Sequence, residues 1–335
     1  MVMRVLVTND DGVTAPGLAA LTRALVGWVA ATEAAGGPRH EIVVVAPSSN
    51  YSGAGAAVGS VTDRTTISYQ RAKVDGAEGV EAYGLDASPA LSVIVGAMGA
   101  VGPKPDLVLS GINHGVNVGR SILHSGTVGA ALTASQLGIS ALAVSLRAGV
   151  NPDPWESAAD LAVALIPLLV RAPARTVLNL NVPALPLSEI LGLRWARVSG
   201  AGLIKAASGA GGWDAPNPSE MEGPAAAEGA RAVMGGPGAG AGRAGGGGDS
   251  GEIVLTVGSP FPGSGSTTRT GSGTGPGAPS DGAARRESNE DASLVGRGYA
   301  ALTALRGPRA DDDPELLGLL DEELAAALAP FGLTA

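Results

Sequence analysis

The sequence predicts an α/β fold: a doubly wound, Rossmann-like, mostly parallel sheet with a β excursion and a C-terminal extension made of a hairpin plus a helix. Short runs of β-branched residues alternate with longer segments of helical periodicity, which is typical of parallel strands joined by helices. The short runs are almost continuously apolar, as in strands that are buried on both faces. In contrast, Gly, Ala, Ser and Pro dominate from about residue 200 to about residue 284.

Five buried strands are predicted, in chain order, at RVLVTN, EIVVVAP, DLVLSG, ALAVSL and TVLNLNV. Apolar residues at helical spacing predict four helices between them: one from Pro16 that ends at Gly36 and Gly37, then Ala87–Met98, Val128–Leu137 and Trp155–Val170. The segment from about Ser60 to Tyr83 is predicted as the β excursion. Ligands of such sheets bind outside the carboxyl ends of the strands, so the residues that follow each strand are the candidates for function.

The change in composition predicts three parts of the chain. Residues 1–199 form the α/β domain, residues 200–284 a Gly/Ala/Ser-rich and largely flexible insertion, and residues 285–335 a returning strand and a C-terminal helix. Within the insertion, residues 252–258 (EIVLTVG) are strand-like, as is GRGYAALTAL after it. The last helix is marked by a one-sided stripe of leucines, which must pack on its own domain or on another subunit: Leu316, Leu317, Leu320, Leu324 and Leu328.

Composition excludes several classes of function. The net charge is -9 and there is no basic run, which argues against a nucleic-acid polymer as partner. The absence of cysteine excludes disulfides, thiolate metal sites and Cys nucleophiles. The N-terminus does not resemble a signal peptide, and the longest apolar stretch, at 161–170, is too short to cross a membrane. We therefore expect a cytoplasmic protein that does not associate with membranes.

Two adjacent carboxylates, Asp10 and Asp11, follow the first predicted strand, and Gly12 lets the backbone turn after them. Two carboxylates held close together repel each other unless a cation lies between them or one is protonated. Hard oxygen ligands favour Mg²⁺, Mn²⁺ or Ca²⁺ over zinc. The alternative is that one aspartate caps the following helix and the other is solvated.

Neutral oxygen donors follow two other predicted strands. Ser52 comes just before two glycines in the segment that follows the second strand, and Asn113 and Asn117 follow the third. Such donors complete the shell of a hard cation without adding negative charge. Each motif is weak alone, because Asn and Gly are common turn residues, but together they predict a metal site at one edge of the sheet.

Ser125, Gly126 and Thr127 come directly before an Ala-rich helix. The free N–H groups of a helix N-terminus bind anions, although a hydroxyl residue there can simply cap the helix. Beside a metal site, this motif predicts bound phosphate. The combination indicates a metal-assisted phosphomonoester hydrolase with Asp10 and Asp11 as catalytic residues, in which an attacking water displaces the leaving group in line.

Other interpretations fit the residues less well. A Ser-His-Asp triad of Ser125, His124 and Asp10 is disfavoured because neighbouring residues point in different directions and no GxSxG motif is present. An aspartyl-phosphate mechanism normally uses a DxD motif with a later Lys, although Asp as nucleophile, as base and as ligand stay open. The alternative from another class is a non-catalytic nucleotide-binding α/β module, but GxGxxG is absent after the first strand.

Five motifs in order resemble the SurE (survival protein E) family of metal-dependent 5'/3'-nucleotidases: TNDDGVTAPGL, VVAPSSNYSGAG, PDLVLSGINHGVNVG, HSGTVGAALTASQLGISALAVS and LNLNVP. The resemblance covers roughly residues 3–199 and returns at about 281–305. It implies hydrolysis of nucleoside 5'- and 3'-monophosphates, and for some members of short polyphosphate. It also implies a homodimer or homotetramer with exchanged C-terminal elements.

The resemblance also implies roles for individual residues. Asp10, Asp11, Ser52 and Asn113 are similar to the four ligands of one divalent ion per subunit, Mg²⁺ or Mn²⁺. The positions similar to the phosphate and substrate site are Asn9, Asn117, Ser125, Gly126 and Thr127. The chain departs from many members in having GLDASPAL on the expected substrate side and a histidine, His124, where a Tyr is common. No implied metal ligand is lost, and the roles of His114 and His124 stay open.

Overall fold

A computed structural model of the chain describes residues 2–59, 66–149, 151–200, 204–208, 253–257, 289–306 and 324–332. Its described strands are β1 (Arg4–Thr8), β2 (Glu41–Pro47), β3 (Tyr69–Ala72), β4 (Glu81–Leu85), β5 (Leu107–His114), β6 (Ser140–Leu146), β7 (Val177–Val182), β8 (Leu193–Trp195), β9 (Ile204–Ser208), β10 (Ile253–Val257) and β11 (Ala300–Leu305). The helices are α1 (Pro16–Ala34), α2 (Pro89–Ala97), α3 (Gly126–Gln136), α4 (Trp155–Ala164), α5 (Ile166–Arg171) and α6 (Asp291–Gly296).

Nine strands form one sheet in the order β3-β4-β2-β1-β5-β6-β7-β11-β8. The strands from β4 to β7 in this order are parallel, while β3 and β11 pair antiparallel with their neighbours β4 and β7. The chain leaves β1 toward β2 on one side and later returns to β5 on the other. The topological switch point therefore lies between the carboxyl ends of β1 and β5, where doubly wound sheets bind ligands.

Helices cover both faces of the sheet, as the predicted α/β class requires. Helices α1, α4 and α5 bury one apolar cluster with alternate residues of the central strands, such as Val5 and Val7 of β1. Helices α2 and α3 bury the other cluster with the intervening residues, such as Leu6. This two-sided burial explains why the strands are continuously apolar in the sequence.

The five predicted strands and four predicted helical segments are present, with three differences in detail. The β excursion does not stand apart from the scaffold, because β4 pairs parallel with β2 and extends the sheet. The helix predicted at Trp155–Val170 is divided into α4 and α5 at Leu165, just before Pro167, whose missing N–H interrupts helical hydrogen bonding. The GRGYAALTAL segment is a strand only from Ala300, because α6 ends at Gly296.

The predicted C-terminal helix lies partly outside the described residues. Residues 324–328 are helical, and Leu324 and Leu328 are fully buried in the cluster beneath α1 and α4. The other leucines of the predicted stripe, at 316, 317 and 320, lie outside the described residues.

Among the helices that the structure describes, none combines the length and the apolar character that a membrane crossing requires.

The strand predicted at residues 252–258 is β10, which pairs antiparallel with β9. Ile253 is opposite Ser208, and Val257 is opposite Ile204. This hairpin belongs to a compact unit that is separate from the unit containing the nine-stranded sheet. The predicted flexibility of the rest of residues 200–284 lies outside the described residues.

Candidate active site

Asp10 and Asp11 lie just beyond β1, in a turn that Asn9 stabilises. The Asn9 side chain donates to Gly12 O at 2.9 Å and accepts from Gly12 N at 3.2 Å. Gly12 has a φ of +109°, which favours glycine because other residues rarely adopt it. Asn9 is fully buried, so it fixes the turn that presents the two carboxylates at the switch point.

Asp10 is tied to the N-terminus of α3, on the far side of β5. Thr127 donates its hydroxyl to Asp10 Oδ1 at 2.6 Å and its backbone N–H to Asp10 Oδ2 at 3.1 Å. Gly126 permits this approach, since a Cβ there would lie 2.7 Å from the Asp10 Cβ. The alternative that an aspartate caps the following helix is wrong for α1, which has Ala15 at its N-cap and no side-chain cap.

Asp11 points toward the other side of the crevice, where it contacts the end of β5. The backbone N–H of His114 donates to Asp11 Oδ2 at 3.3 Å, and Asn50 Nδ2 donates to Asp11 Oδ1 at 3.4 Å. The carboxylate pair therefore lies at the switch point, where Asp10 is hydrogen-bonded to the N-terminus of α3 and Asp11 is hydrogen-bonded to the end of β5.

Both carboxylates have raised pKa values. Burial raises the pKa of Asp10, and the hydrogen bonds from Thr127 oppose this shift because they stabilise the ionised form. Burial and the neighbouring charge of Asp10 raise the pKa of Asp11 to about 6. Raised pKa values mean that burial and mutual repulsion disfavour the ionised forms of both groups, and a bound cation would offset this cost.

The remaining predicted metal ligands, Asn113 and Ser52, lie next to residues that hydrogen-bond to Asp11: Asn113 precedes His114, and Ser52 binds Asn50. Asn113 lies after an irregularity in the pairing of β5 with β6, between Ser110 and Asn113, and such irregularities redirect the following side chains. Its amide nitrogen donates to Gly115 O at 2.7 Å, so its amide oxygen is the atom that can face a cation. Ser52 is exposed in the loop after β2, and its backbone N–H donates to Asn50 Oδ1 at 2.7 Å.

The Ser52 loop packs closely on α3. Gly55 N donates to His124 O at 3.0 Å, and Tyr51 N donates to Asp10 O at 2.7 Å. Gly129 is in the first turns of α3 where the loop crosses, and a Cβ there would lie 2.3 Å from Gly55 O. The Ser52 loop is therefore held against both aspartates, through Tyr51 N to Asp10 O and through Asn50 to Asp11.

The donor set fits a hard divalent cation. In the described ranges, no group of three His, Asp or Glu side chains comes close enough together to hold a metal ion. A cation at this site would therefore have two carboxylates and neutral oxygens, as for Mg²⁺ or Mn²⁺ with open positions for water and substrate.

The predicted phosphate residues are already involved in contacts within the protein. Ser125 caps α3 by accepting from Val128 N at 3.1 Å, and both polar groups of Thr127 bind Asp10. Asn117 is buried and donates to Ser145 Oγ at 2.8 Å, while its backbone binds Asn179 and Asn181 of β7. These contacts hold the residues in place around the crevice. The role of the residues in phosphate binding stays a prediction.

Sequence reasoning did not identify two further residues near the site. Asp153 contacts His114, with 3.2 Å between Asp153 Oδ2 and His114 Nε2. Asp291 is fully buried, and its carboxylate accepts from the backbone N–H groups of Gly119 at 2.9 Å, Ser199 at 3.0 Å and Ala292 at 2.8 Å. Asp291 thereby ties the 3₁₀ turn at Gly119–His124, which leads into α3, to the C-terminal part of the chain. Both contacts are remote in sequence, and no local pattern signals them.

The fold and the crevice together define a class of protein: an α/β protein with a paired-carboxylate centre beside a helix N-terminus at the switch point of a doubly wound sheet. A sequence comparison narrows this class, because the family described as Survival protein SurE matches residues 5–203. The chain belongs to the SurE family.

Curated relatives and a solved structure agree with this assignment. The chain is 39% identical over 197 residues to the 5'/3'-nucleotidase SurE of Cronobacter sakazakii, covering 58% of this chain and 69% of that protein. It is 39% identical over 238 residues to the 5'-nucleotidase SurE of Pseudomonas putida, covering 70% of this chain and 85% of that protein. The crystal structure of the SurE protein from Aquifex aeolicus matches with a TM-score of 0.56 and 25% identity, over 90% of this chain and 93% of that one.

Proposed function

We infer that this chain is a nucleotidase, a phosphoric monoester hydrolase that converts nucleoside 5'- and 3'-monophosphates to nucleoside and phosphate. Family membership and the names of the curated relatives support the reaction. The single structural observation that favours it is the carboxylate pair at the switch point, with Asp10 bound to the N-terminus of α3.

The proposal includes one divalent ion per subunit, Mg²⁺ or Mn²⁺, held by Asp10, Asp11, Ser52 and Asn113. When bound, such an ion neutralises charge on the phosphoryl oxygens and lowers the pKa of a coordinated water. The raised pKa of Asp11 supports this assignment, because burial and the nearby charge of Asp10 both contribute to it, so the folded chain holds the two carboxylates close enough to repel each other.

The residues of the chain prepare the site for this chemistry. Thr127 keeps Asp10 oriented and favours its ionised form, and Asn9 holds the turn that sets the spacing of the pair. The N-terminus of α3 adds partial positive charge beside the phosphate position. Asn9, Asp10 and Thr127 are buried, which strengthens the electrostatic contacts among them.

Four further parts of the proposal concern the whole protein: its domains, its assembly, its location and its partners. We assign the reaction to the α/β domain predicted at residues 1–199, working with the returning strand and C-terminal helix predicted at 285–335. Assembly as a homodimer or homotetramer and a cytoplasmic location rest on the family resemblance and on composition, and stay predictions. Nucleoside monophosphates are the proposed partners, and a nucleic-acid polymer is not.

The test is phosphate release from 5'-AMP and 3'-AMP with Mn²⁺ or Mg²⁺, repeated with excess EDTA. We expect metal-dependent release by the wild type and a loss of at least 100-fold in Asp10→Asn and Asp11→Asn. Asp75→Asn is the matched control, because the Asp75 side chain is 96% exposed and remote in sequence from the turn. Binding of AMP without release from AMP or polyphosphate, by folded protein with metal, would instead favour the non-catalytic nucleotide-binding module.

A further inference from the structure

His114 presents its imidazole ring at the rim of the crevice. It is the last residue of β5, directly after Asn113, and its side chain is 51% exposed. Its backbone N–H binds Asp11, and the preceding residue is the proposed metal ligand Asn113, so the ring lies close to the proposed metal site. A half-exposed aromatic ring at this place borders the space that a substrate enters.

Two neighbours fix the orientation of this ring. Asp153 Oδ2 lies 3.2 Å from Nε2, and the Asp153 side chain is only 17% exposed. The Trp155 ring lies 5.6 Å from the His114 ring, centroid to centroid, with the planes inclined at 47°. Trp155 itself packs against α1, since a Cβ at Gly17 would lie 2.9 Å from Trp155 Cζ3.

Asp10 and His114 contact helices on opposite faces of the sheet. Asp10 is bound to the N-terminus of α3, which belongs to the layer of α2 and α3. His114 contacts Trp155 at the start of α4, which belongs to the layer of α1 and α4. A substrate with its phosphate beside Asp10 and the helix N-terminus can therefore extend its other end toward His114.

We propose that the His114 ring, backed by Trp155 and held by Asp153, is a stacking platform for the nucleobase of the substrate. The proposal rests on the proposed nucleotidase function. Asp153 binds the ring at its edge, through Nε2, and the side chain is 51% exposed, so a face of the ring stays accessible to a ligand. Aromatic faces bind nucleobases by stacking, which tolerates every base because each has a π-face.

This arrangement makes His114 a specificity-determining residue, and Asp153 a positioning residue that acts through it. Stacking stabilises the bound nucleotide and the transition state equally, so its loss raises KM and leaves kcat nearly unchanged. Purine nucleotides, which have the larger ring face, depend on the platform more than pyrimidine nucleotides do.

The experiment compares AMP with ribose 5-phosphate, which carries the same phosphoester but no base. In the wild type we expect kcat/KM to favour AMP by roughly tenfold or more, and His114→Ala to remove this preference through the KM for AMP. His114→Phe keeps an aromatic face and should retain at least half of the preference on a logarithmic scale. Asp153→Asn should give an intermediate preference, with the same kcat.

Two results would overturn the platform. One is an equal loss on AMP and ribose 5-phosphate in His114→Ala, which would place the residue in the chemistry. The other is an unchanged preference in a His114→Ala protein whose thermal unfolding matches that of the wild type.

Failure of the proposed function is detected separately. Isothermal titration of AMP and of ribose 5-phosphate into Asp10→Asn, with and without His114→Ala, measures the preference in the absence of turnover. If the wild type hydrolyses neither compound, a base preference in binding that disappears with His114→Ala still supports the platform. No preference for AMP in Asp10→Asn would contradict it.

Discussion

The carboxyl group of Asp11 makes the stability of the metal-free protein depend on pH. Its pKa is about 6 in the folded protein, against an ordinary value of 3.8, so the folded chain binds more protons than the unfolded chain between these values. The free energy of unfolding therefore falls as the pH rises from about 4 to about 6, and the full penalty is present above 6.

Replacement of Asp11 by Asn removes this penalty. With EDTA present, we expect Asp11→Asn to be more stable than the wild type by about 2 kcal/mol at pH 8, and the difference to vanish below about pH 4. Urea unfolding at several pH values measures it. A difference that is constant from pH 4 to pH 8 would show that the charge of Asp11 is not its cause.

The hydroxyl of Thr127 favours the ionised form of Asp10, against the larger opposing effect of burial. Thr127→Val removes the 2.6 Å hydrogen bond, which raises the pKa of Asp10 further. We expect the metal concentration for half-maximal activity to rise by roughly 10- to 100-fold, as for other groups that orient metal ligands. Thr133→Val is the matched control, because the Thr133 hydroxyl donates only to Gly129 O of its own helix. An equal effect of both substitutions would assign the loss to α3 rather than to Asp10.

The sequence predicted candidate site residues but not their contacts. Asp10, Asp11, Ser52 and Asn113 were candidates because each comes after an apolar run that the sequence marks as a strand, and the ends of parallel strands meet at one edge; their role as metal ligands stays a prediction. The sequence did not reveal that Thr127 binds Asp10, because the two residues are 117 positions apart and meet only in the folded chain. The same holds for Asp153 beside His114.

At the scale of elements, one glycine of α3 sets the position of the Ser52 loop. A methyl group at Gly129 would lie 2.3 Å from Gly55 O, which is backbone and cannot rotate away. We expect Gly129→Ala to lower the free energy of unfolding by about 2 kcal/mol or more, and to weaken metal binding by displacing the loop.

Gly27→Ala is the control for this substitution. Gly27 is also inside a helix, α1, but no atom lies within 4 Å of the position its Cβ would take. Alanine should therefore stabilise the protein by about 0.5–1 kcal/mol through helix propensity alone. Thermal unfolding of both variants measures the contrast, and a destabilised Gly27→Ala would mean that helix propensity does not decide the outcome there.

Elements with strong local signals were predicted, and those that depend on remote partners were not. The apolar runs of β1, β2, β5, β6 and β7 are buried on both faces, which leaves a continuous pattern in the sequence. β8 has only three residues, Leu193–Trp195, and pairs with β11, so nothing near it in the sequence marks a strand. The placement of β4 beside β2 is likewise a matter of tertiary pairing, which local periodicity does not encode.

At the scale of the whole molecule, a ligand that binds only the folded chain must stabilise all of it. At 100 times its dissociation constant, Mn²⁺ or Mg²⁺ should add about 2.7 kcal/mol to the free energy of unfolding. We expect the melting temperature to rise by several degrees with metal and to return with EDTA. Asp75→Asn should respond as the wild type does, whereas an equal rise in Asp10→Asn would place the ion elsewhere.

Strand β11 lies between β7, to which it is antiparallel, and β8, to which it is parallel. It comes about 100 residues after both of them in the chain. A ribosome therefore releases the carboxylate pair, β5, α3 and β7 well before it releases the strand that covers β7. Until then the nascent chain carries an unpaired strand edge, which can associate with other chains. Asp291, which anchors the turn before α3, leaves the ribosome only shortly before β11. The residues of the crevice can thus come together early in synthesis. The contacts of Asp291 and the pairing of β11 with β7 form only after the C-terminal part has been synthesised. We expect the chain to depend most on a chaperone in the interval between these two events.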